Sequence, residues 1–280
     1  MTSSGADEIR LIEAQAAPTR FARGWHCLGL IKDFGDGKPH AINAFGQKLV
    51  VFRSGDGRIN VLDSYCRHMG GDLSQGEVKG NEIACPFHDW RWDGTGRCVM
   101  APYSKRIPRL ARTRKWPSCR QNGLLFVWHD PEGNPPPDEV AIPRIDEFYD
   151  DGWTDWSWGR WTITNSHSRE VVENLADSSH FFYVHDGFPV EFKNVFEGHT
   201  AKQYLTSKGR ADSDLGPEYA NLLAHSESTY YGPSYVVTTL HSDFSGFVTE
   251  AVLVASHYPL THDSYVLQSG VMAKIPQGMD

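Results

Sequence analysis

Short strand-like apolar runs, cut by turn residues, fill most of this chain. Gln47-Lys-Leu-Val-Val-Phe-Arg53, then Ser54-Gly-Asp-Gly57, then Arg58-Ile-Asn-Val-Leu62 predicts a β-hairpin. Gly123-Leu-Leu-Phe-Val-Trp128 predicts a buried strand. Pro131-Glu-Gly-Asn-Pro-Pro-Pro-Asp138 cannot continue a sheet or a helix and predicts a linker. Residues 153–164 are Trp-rich and strand-like. Between residues 166 and 185 the pattern turns helical, with Val171, Val172, Leu175 and Ala176 on one side, and Gly187 and Pro189 end the helix. Strand-like segments then return at Ser234–His241, Val248–His257 and Ser264–Lys274. The expected organisation is α+β: an N-terminal arm (1–20), a small all-β domain (21–130), a Pro-rich linker (131–143) and a larger α+β domain (144–280).

Composition narrows the function classes. The 280 residues are 40% hydrophobic, enough for a sizeable core, and the net charge of −8 argues against a nucleic-acid binder. No apolar run approaches the roughly 18 residues of a membrane helix. The N-terminus lacks the apolar stretch of a signal peptide, so a cytoplasmic location is expected. Five cysteines are an odd set that does not read as a disulfide framework. Cys27, Cys98 and Cys119 need no role beyond packing.

Cys66 and Cys85 are different, because each is followed closely by histidine. Cys66-Arg-His68 and Cys85-Pro-Phe-His88 are separated by sixteen residues. Ordinary buried cysteines and a zinc site are competing readings, but zinc fingers usually pair cysteine with cysteine and histidine with histidine. One of each per element suits a Rieske [2Fe–2S] centre, in which two thiolates hold one iron and two neutral imidazoles the other. Gly70 and Gly71 allow a close backbone turn after the first element, and Pro86 stiffens the second.

A second constellation lies in the expected helix: Asn174, Asp177 and His180 at three-residue steps, then His185. The first three share one side of a helix, while His185 falls about 140° from His180 on an unbroken one. If both histidines bind one metal, the helix must deform or end between them. Two histidines and a carboxylate suit a mononuclear non-haem iron, with positions left open for O2 and substrate. The alternative is a pair of histidines on an amphipathic helix.

Together the two motifs resemble the Rieske non-haem iron oxygenases, over nearly all of the chain from about residue 20. The resemblance implies a Rieske domain followed by a helix-grip-like catalytic domain, an antiparallel sheet with helices. It implies Cys66, His68, Cys85 and His88 as cluster ligands and His180 and His185 as iron ligands. Asp177 becomes the carboxylate that carries electrons from the cluster of a neighbouring subunit in a homotrimer, and Asn174 a nearby polar residue. The family's third iron ligand is a carboxylate on a late helix. It is expected beyond Asp280, the terminal Asp280 being a poor substitute, so the catalytic domain reads as incomplete at its C-terminus. The expectation is a chain that assembles the cluster but holds catalytic iron poorly.

The wording around the motifs, Cys66-Arg-His-Met-Gly-Gly-Asp-Leu-Ser74 and Asn174-Leu-Ala-Asp-Ser-Ser-His-Phe-Phe-Tyr-Val-His185, is similar to the branch of the family that hydroxylates 3-ketosteroids at C9. That resemblance implies a two-component monooxygenase of steroid degradation, using O2 and electrons from NADH through a flavin/iron–sulfur reductase. Val172, Gln203 and Tyr231 are the residues expected to wall the steroid slot. A Rieske oxygenase for another substrate, such as an aromatic acid, and a pure electron carrier are the alternatives.

Overall fold

The computed structural model describes residues 20–276. Most of the expected arm and the terminal Asp280 therefore lie outside the described residues.

The N-terminal half carries ten strands: β1 (Gly24–Leu30), β2 (His40–Ala44), β3 (Gln47–Arg53), β4 (Ile59–Asp63), β5 (Glu77–Lys79), β6 (Glu82–Ala84), β7 (Arg91–Asp93), β8 (Cys98–Met100), β9 (Ser118–Gln121) and β10 (Leu124–His129). They form three antiparallel sheets, ordered β2-β3-β4, β5-β6-β7-β8 and β1-β10-β9. The expected hairpin is β3-β4, with Val51 opposite Val61. Every residue of β1 and β10 is buried, which explains their continuous apolar runs: both faces of this sheet are covered. Along β10, Leu125 and Val127 point into a core shared with β2, β3 and β4. Phe126 and Trp128 point into a second core, with Trp25, Cys27, Tyr235, Val252 and Val254.

The second core joins the two halves of the chain. The predicted linker is irregular, as three prolines require, but it is not a free tether. Trp128 Nε1 donates to Asn134 O at 3.0 Å and Trp25 Nε1 to Val140 O at 2.7 Å. Val140 and Ile142 pack on the shared core. A junction this apolar fixes the two halves against each other.

The C-terminal half is one antiparallel sheet of β11 (Ser157–Thr164), β12 (Gly187–Glu197), β13 (Thr200–Gly209), β14 (Leu222–Tyr231), β15 (Tyr235–Phe244), β16 (Phe247–Thr261) and β17 (Ser264–Ala273). Strands β12 to β17 run as a meander, and β11 returns beside β17. Between β11 and β12 lie two short helices, α1 (Arg169–Glu173) and α2 (Ser179–Val184).

These helices correct the single helix expected over residues 166–185. The break has a local cause. Leu175, Ala176 and Asp177 tighten into three-residue turns, bonding Val172 O, Glu173 O and Asn174 O. The Asp177 carboxylate then accepts from Ser179 N at 2.8 Å and His180 N at 3.3 Å, restarting the chain as α2. Short polar side chains at 177–179 thus compete with the helix for its own backbone groups. Gly187 and Pro189 follow the end of α2, as expected, and they also open β12.

Candidate functional site

The two Cys-His elements form two loops of like geometry. In the first, Gly70 N donates to Cys66 O at 2.8 Å; in the second, Asp89 N donates to Cys85 O at 3.0 Å. The residue four places after each cysteine has positive φ, +74° at Gly70 and +53° at Asp89. A left-handed aspartate is uncommon; here Lys79 and Arg91 hold its carboxylate at 2.9 and 3.1 Å. The loops face each other. The His68 and His88 ring centroids are 4.9 Å apart, and the His68 ring stacks on Trp90 at 4.4 Å. Cys66 and Cys85 are both buried.

The donor set fits a cluster with two ligands of each kind. Burial pushes the Cys66 thiol up to about 11, and the neighbouring Cys85 adds to this. Metal coordination relieves that cost by stabilising the thiolate. Trp92 Nε1 is buried without a partner among the described residues, and its N–H opposes the rise at Cys66, as a donor to sulfur would. At Gly71 a Cβ would lie 2.7 Å from Cys85 Sγ, so only glycine lets the first loop close over the second sulfur. Asp72 secures the base of this loop. Burial opposes its ionisation, but Lys48, Ser64 and Ser74 together hold its pKa down to about 2. The other cysteines lack such settings; burial pushes Cys27 and Cys119 up to about 12 and raises Cys98.

In the C-terminal half, α2 ends at Val184 and His185 leaves the helical conformation. The imidazoles of His180 and His185 thereby come to 5.3 Å between centroids, which an unbroken helix would prevent. His180 Nδ1 lies 2.5 Å from Asp177 O, so Nδ1–H donates and Nε2 is left for a metal. Burial and the neighbouring His180 both lower the pKa of His185, favouring the neutral, ligating form. Among the described residues, no three His, Cys, Asp or Glu side chains converge on one point.

Both histidines line a cavity of about 450 Å³ between the helices and one face of the sheet. Strand alternation supplies its floor: Gln203, Leu205 and Ser207 from β13, Ala224, Ser226, Ser228 and Tyr230 from β14, and Val236, Thr238 and Leu240 from β15. Asn174, Val171 and Phe181 close it from the helices. The volume falls within the range of small-molecule sites, roughly 300–1,000 Å³.

Gln203 thus lies where the sequence placed it, while Val172 and Tyr231 do not line the cavity. Each misses by one residue: Val171 and Tyr230 take those positions. Tyr231 alternates to the opposite face and packs into the inter-half core. The period of two in Ala224-His-Ser-Glu-Ser-Thr-Tyr230, small or hydroxylated at every second place, was the available signal. Asp177 faces outward, its side chain 51% exposed.

A model described as the Rieske [2Fe-2S] domain matches residues 24–113, and one described as the 3-ketosteroid 9alpha-hydroxylase C-terminal domain matches residues 127–280. The chain is 58% identical, over 276 residues, to a 3-ketosteroid-9-alpha-monooxygenase oxygenase component of Rhodococcus rhodochrous, covering 97% of this chain and 71% of that one. It is 54% identical to a protein of the same description from Mycobacterium tuberculosis, over 99% of this chain and 72% of that one. Among solved structures, dicamba monooxygenase bound to 3,6-dichlorosalicylic acid superposes with a TM-score of 0.75 over 92% of this chain and 79% of that one. At 20% identity, that likeness speaks for the fold alone.

Proposed function

The chain belongs to the family of 3-ketosteroid 9α-hydroxylase oxygenase components, and from that membership we propose that it hydroxylates a 3-ketosteroid at C9, with Cys66, His68, Cys85 and His88 holding its [2Fe–2S] cluster and His180 and His185 its mononuclear iron. When bound, the cluster supplies electrons one at a time and the iron supplies the site of O2 activation. Electrons come from NADH through a separate reductase.

The chain's own residues do the rest. Trp92 and the two four-residue loops fix the sulfur environment. The Asp177 backbone carbonyl fixes the His180 ring and its tautomer. The half-exposed Asp177 carboxylate, and the exposed Tyr183 and Val184 later in the same segment, support contact with a second copy of the chain and the bridging role within a homotrimer. The cavity orients a flat apolar substrate between Phe181, Leu205 and Leu240, and its hydroxyls and the Gln203 amide N–H are donors from which ketone oxygens accept.

One observation carries this reading: both candidate iron ligands open into a mostly apolar cavity large enough for a polycycle. The test is turnover of androstadienedione with reductase, NADH and ¹⁸O2. A 9-hydroxylated product carrying one ¹⁸O is expected. Consumption of an aromatic acid with no steroid product would overturn the substrate assignment.

A further inference from the structure

The exit of α2 is held by a side chain from the end of a neighbouring strand. Arg210 follows the last residue of β13, and Asp186 precedes the first residue of β12. Gly187 and Gly209 pair at the ends of these strands, and Arg210 N donates to Asp186 O at 3.0 Å, one step beyond them. The Arg210 side chain reaches back over the last turn of α2. Its Nη1 donates to Phe182 O at 2.9 Å and to Asp186 Oδ1 at 3.4 Å, and the guanidinium carbon lies 4.2 Å from the centre of the Phe182 ring. Asp212 aligns the fork, accepting from Nε at 3.0 Å and from Nη2 at 2.8 Å.

The Phe182 and Asp186 contacts bracket His185. Asp186 has φ +50°, a left-handed conformation that a non-glycine residue keeps only when its surroundings enforce it. At a left-handed helix end, a backbone N–H usually bonds the carbonyl of the helix's third-last residue. Phe182 is that residue in α2, and Arg210 donates to its carbonyl. The Asp177 carbonyl sets the His180 ring directly. The His185 ring packs beside His180 and Phe181, at 5.3 and 5.6 Å between centroids, and among the described residues it makes no hydrogen bond. Its direction therefore rests on the backbone that carries it. A lysine could not replace the brace, because a point charge cannot stack on a ring while forking to a carbonyl and two carboxylates.

We propose that Arg210 is a positioning residue for the iron site: it fixes the exit of α2 so that His185 meets His180 on one metal ion. This deepens the reading of His180 and His185 as iron ligands and rests on it. Arg210 does not line the cavity, so it acts through His185 and not on substrate. Residues that orient a metal ligand in this way typically matter to metal affinity almost as much as the ligands do.

Anaerobic titration of Fe(II) into the cluster-loaded full chain tests this, with nitric oxide as the probe and the ferrous-nitrosyl EPR signal as the readout. The parental signal should be lost in His185→Ala. Arg210→Gln should raise the half-saturating Fe(II) concentration at least about tenfold and broaden the signal, as His185 then samples several directions. Arg210→Lys keeps the charge without the fork and should give a smaller loss with the same broadening. It decides the matter if circular dichroism shows that Arg210→Gln does not fold. Lys274→Gln, which breaks an ion pair with Glu250 on the same sheet, should leave half-saturation and line shape unchanged. Cluster absorbance should stay parental in all four variants. Parental half-saturation and line shape in either folded Arg210 variant would overturn the proposal. So would an equal loss in Lys274→Gln, which would reduce the effect to general stability. A parental chain without the signal, or one whose signal survives His185→Ala, would take down the two-histidine reading, and the positioning role with it.

Discussion

Asp177 does three jobs within a few ångströms. Its carboxylate caps α2 through Ser179 N and His180 N, its carbonyl accepts the hydrogen bond from His180 Nδ1–H, and half of its side chain remains open to solvent. The first two are local and the third is not, so they separate by substitution. Asp177→Asn keeps a side-chain oxygen for the cap and leaves the carbonyl in place. We expect the variant to fold, to load its cluster and to accept electrons from an external donor at the parental rate, while steroid turnover falls roughly 10- to 100-fold or more. Single-turnover oxidation of the reduced cluster, followed by absorbance, reads the step directly. Parental kinetics there would remove the bridging role.

At the scale of elements, the ligand motifs were legible because ligand chemistry fixes spacing within a few residues. Cys66-x-His68 and Cys85-x-x-His88 sit on loops whose turns are written in the same segments. The pocket was less legible, because a one-residue phase error sends a strand side chain to the wrong face; Tyr231 was named where Tyr230 belongs. The break at Leu175 was the least legible, since its local turns are backed by partners far along the chain. Asn194 and Gln203 stand opposite each other on β12 and β13. Both donate their amides to Leu175 O, at 2.7 and 3.0 Å. That carbonyl lies between the helices, and these two side chains replace the helical donor it has lost. Gln203→Leu should therefore destabilise by about 1 kcal/mol, since Asn194 still satisfies the carbonyl. Adding Asn194→Leu should cost more than the sum of the two single changes, because the buried acceptor is then abandoned. Urea unfolding of the three variants measures this coupling, and limited proteolysis should cut near residues 174–178 in the double variant first. Strict additivity would mean the shared carbonyl does not pin the break.

The whole molecule depends on the junction between its halves, and that junction is unusually rich in uncharged histidine. His26 from β1 lies with its Nδ1 3.3 Å from His257 O, and His257 Nε2 donates to Pro233 O at 2.8 Å. Burial lowers His26 to about 3, with the nearby His257 contributing, and burial lowers His257 to about 4; His129 is lowered in the same way. In the unfolded chain each titrates near 6.5. Between 6.5 and these depressed values the unfolded state therefore binds protons that the folded state refuses, and stability falls as pH falls. Each of the two histidines contributes a slope approaching about 1.4 kcal/mol per pH unit in that window, levelling off only below about pH 3. Above pH 7 the dependence should vanish. His257→Gln keeps an N–H for Pro233 O while removing one titration, so its slope between pH 6 and 4.5 should be distinctly shallower than the parent's. Denaturant unfolding at a series of pH values, followed by tryptophan fluorescence, checks this. Parallel curves for parent and variant would show that His257 takes up its proton without opening the junction.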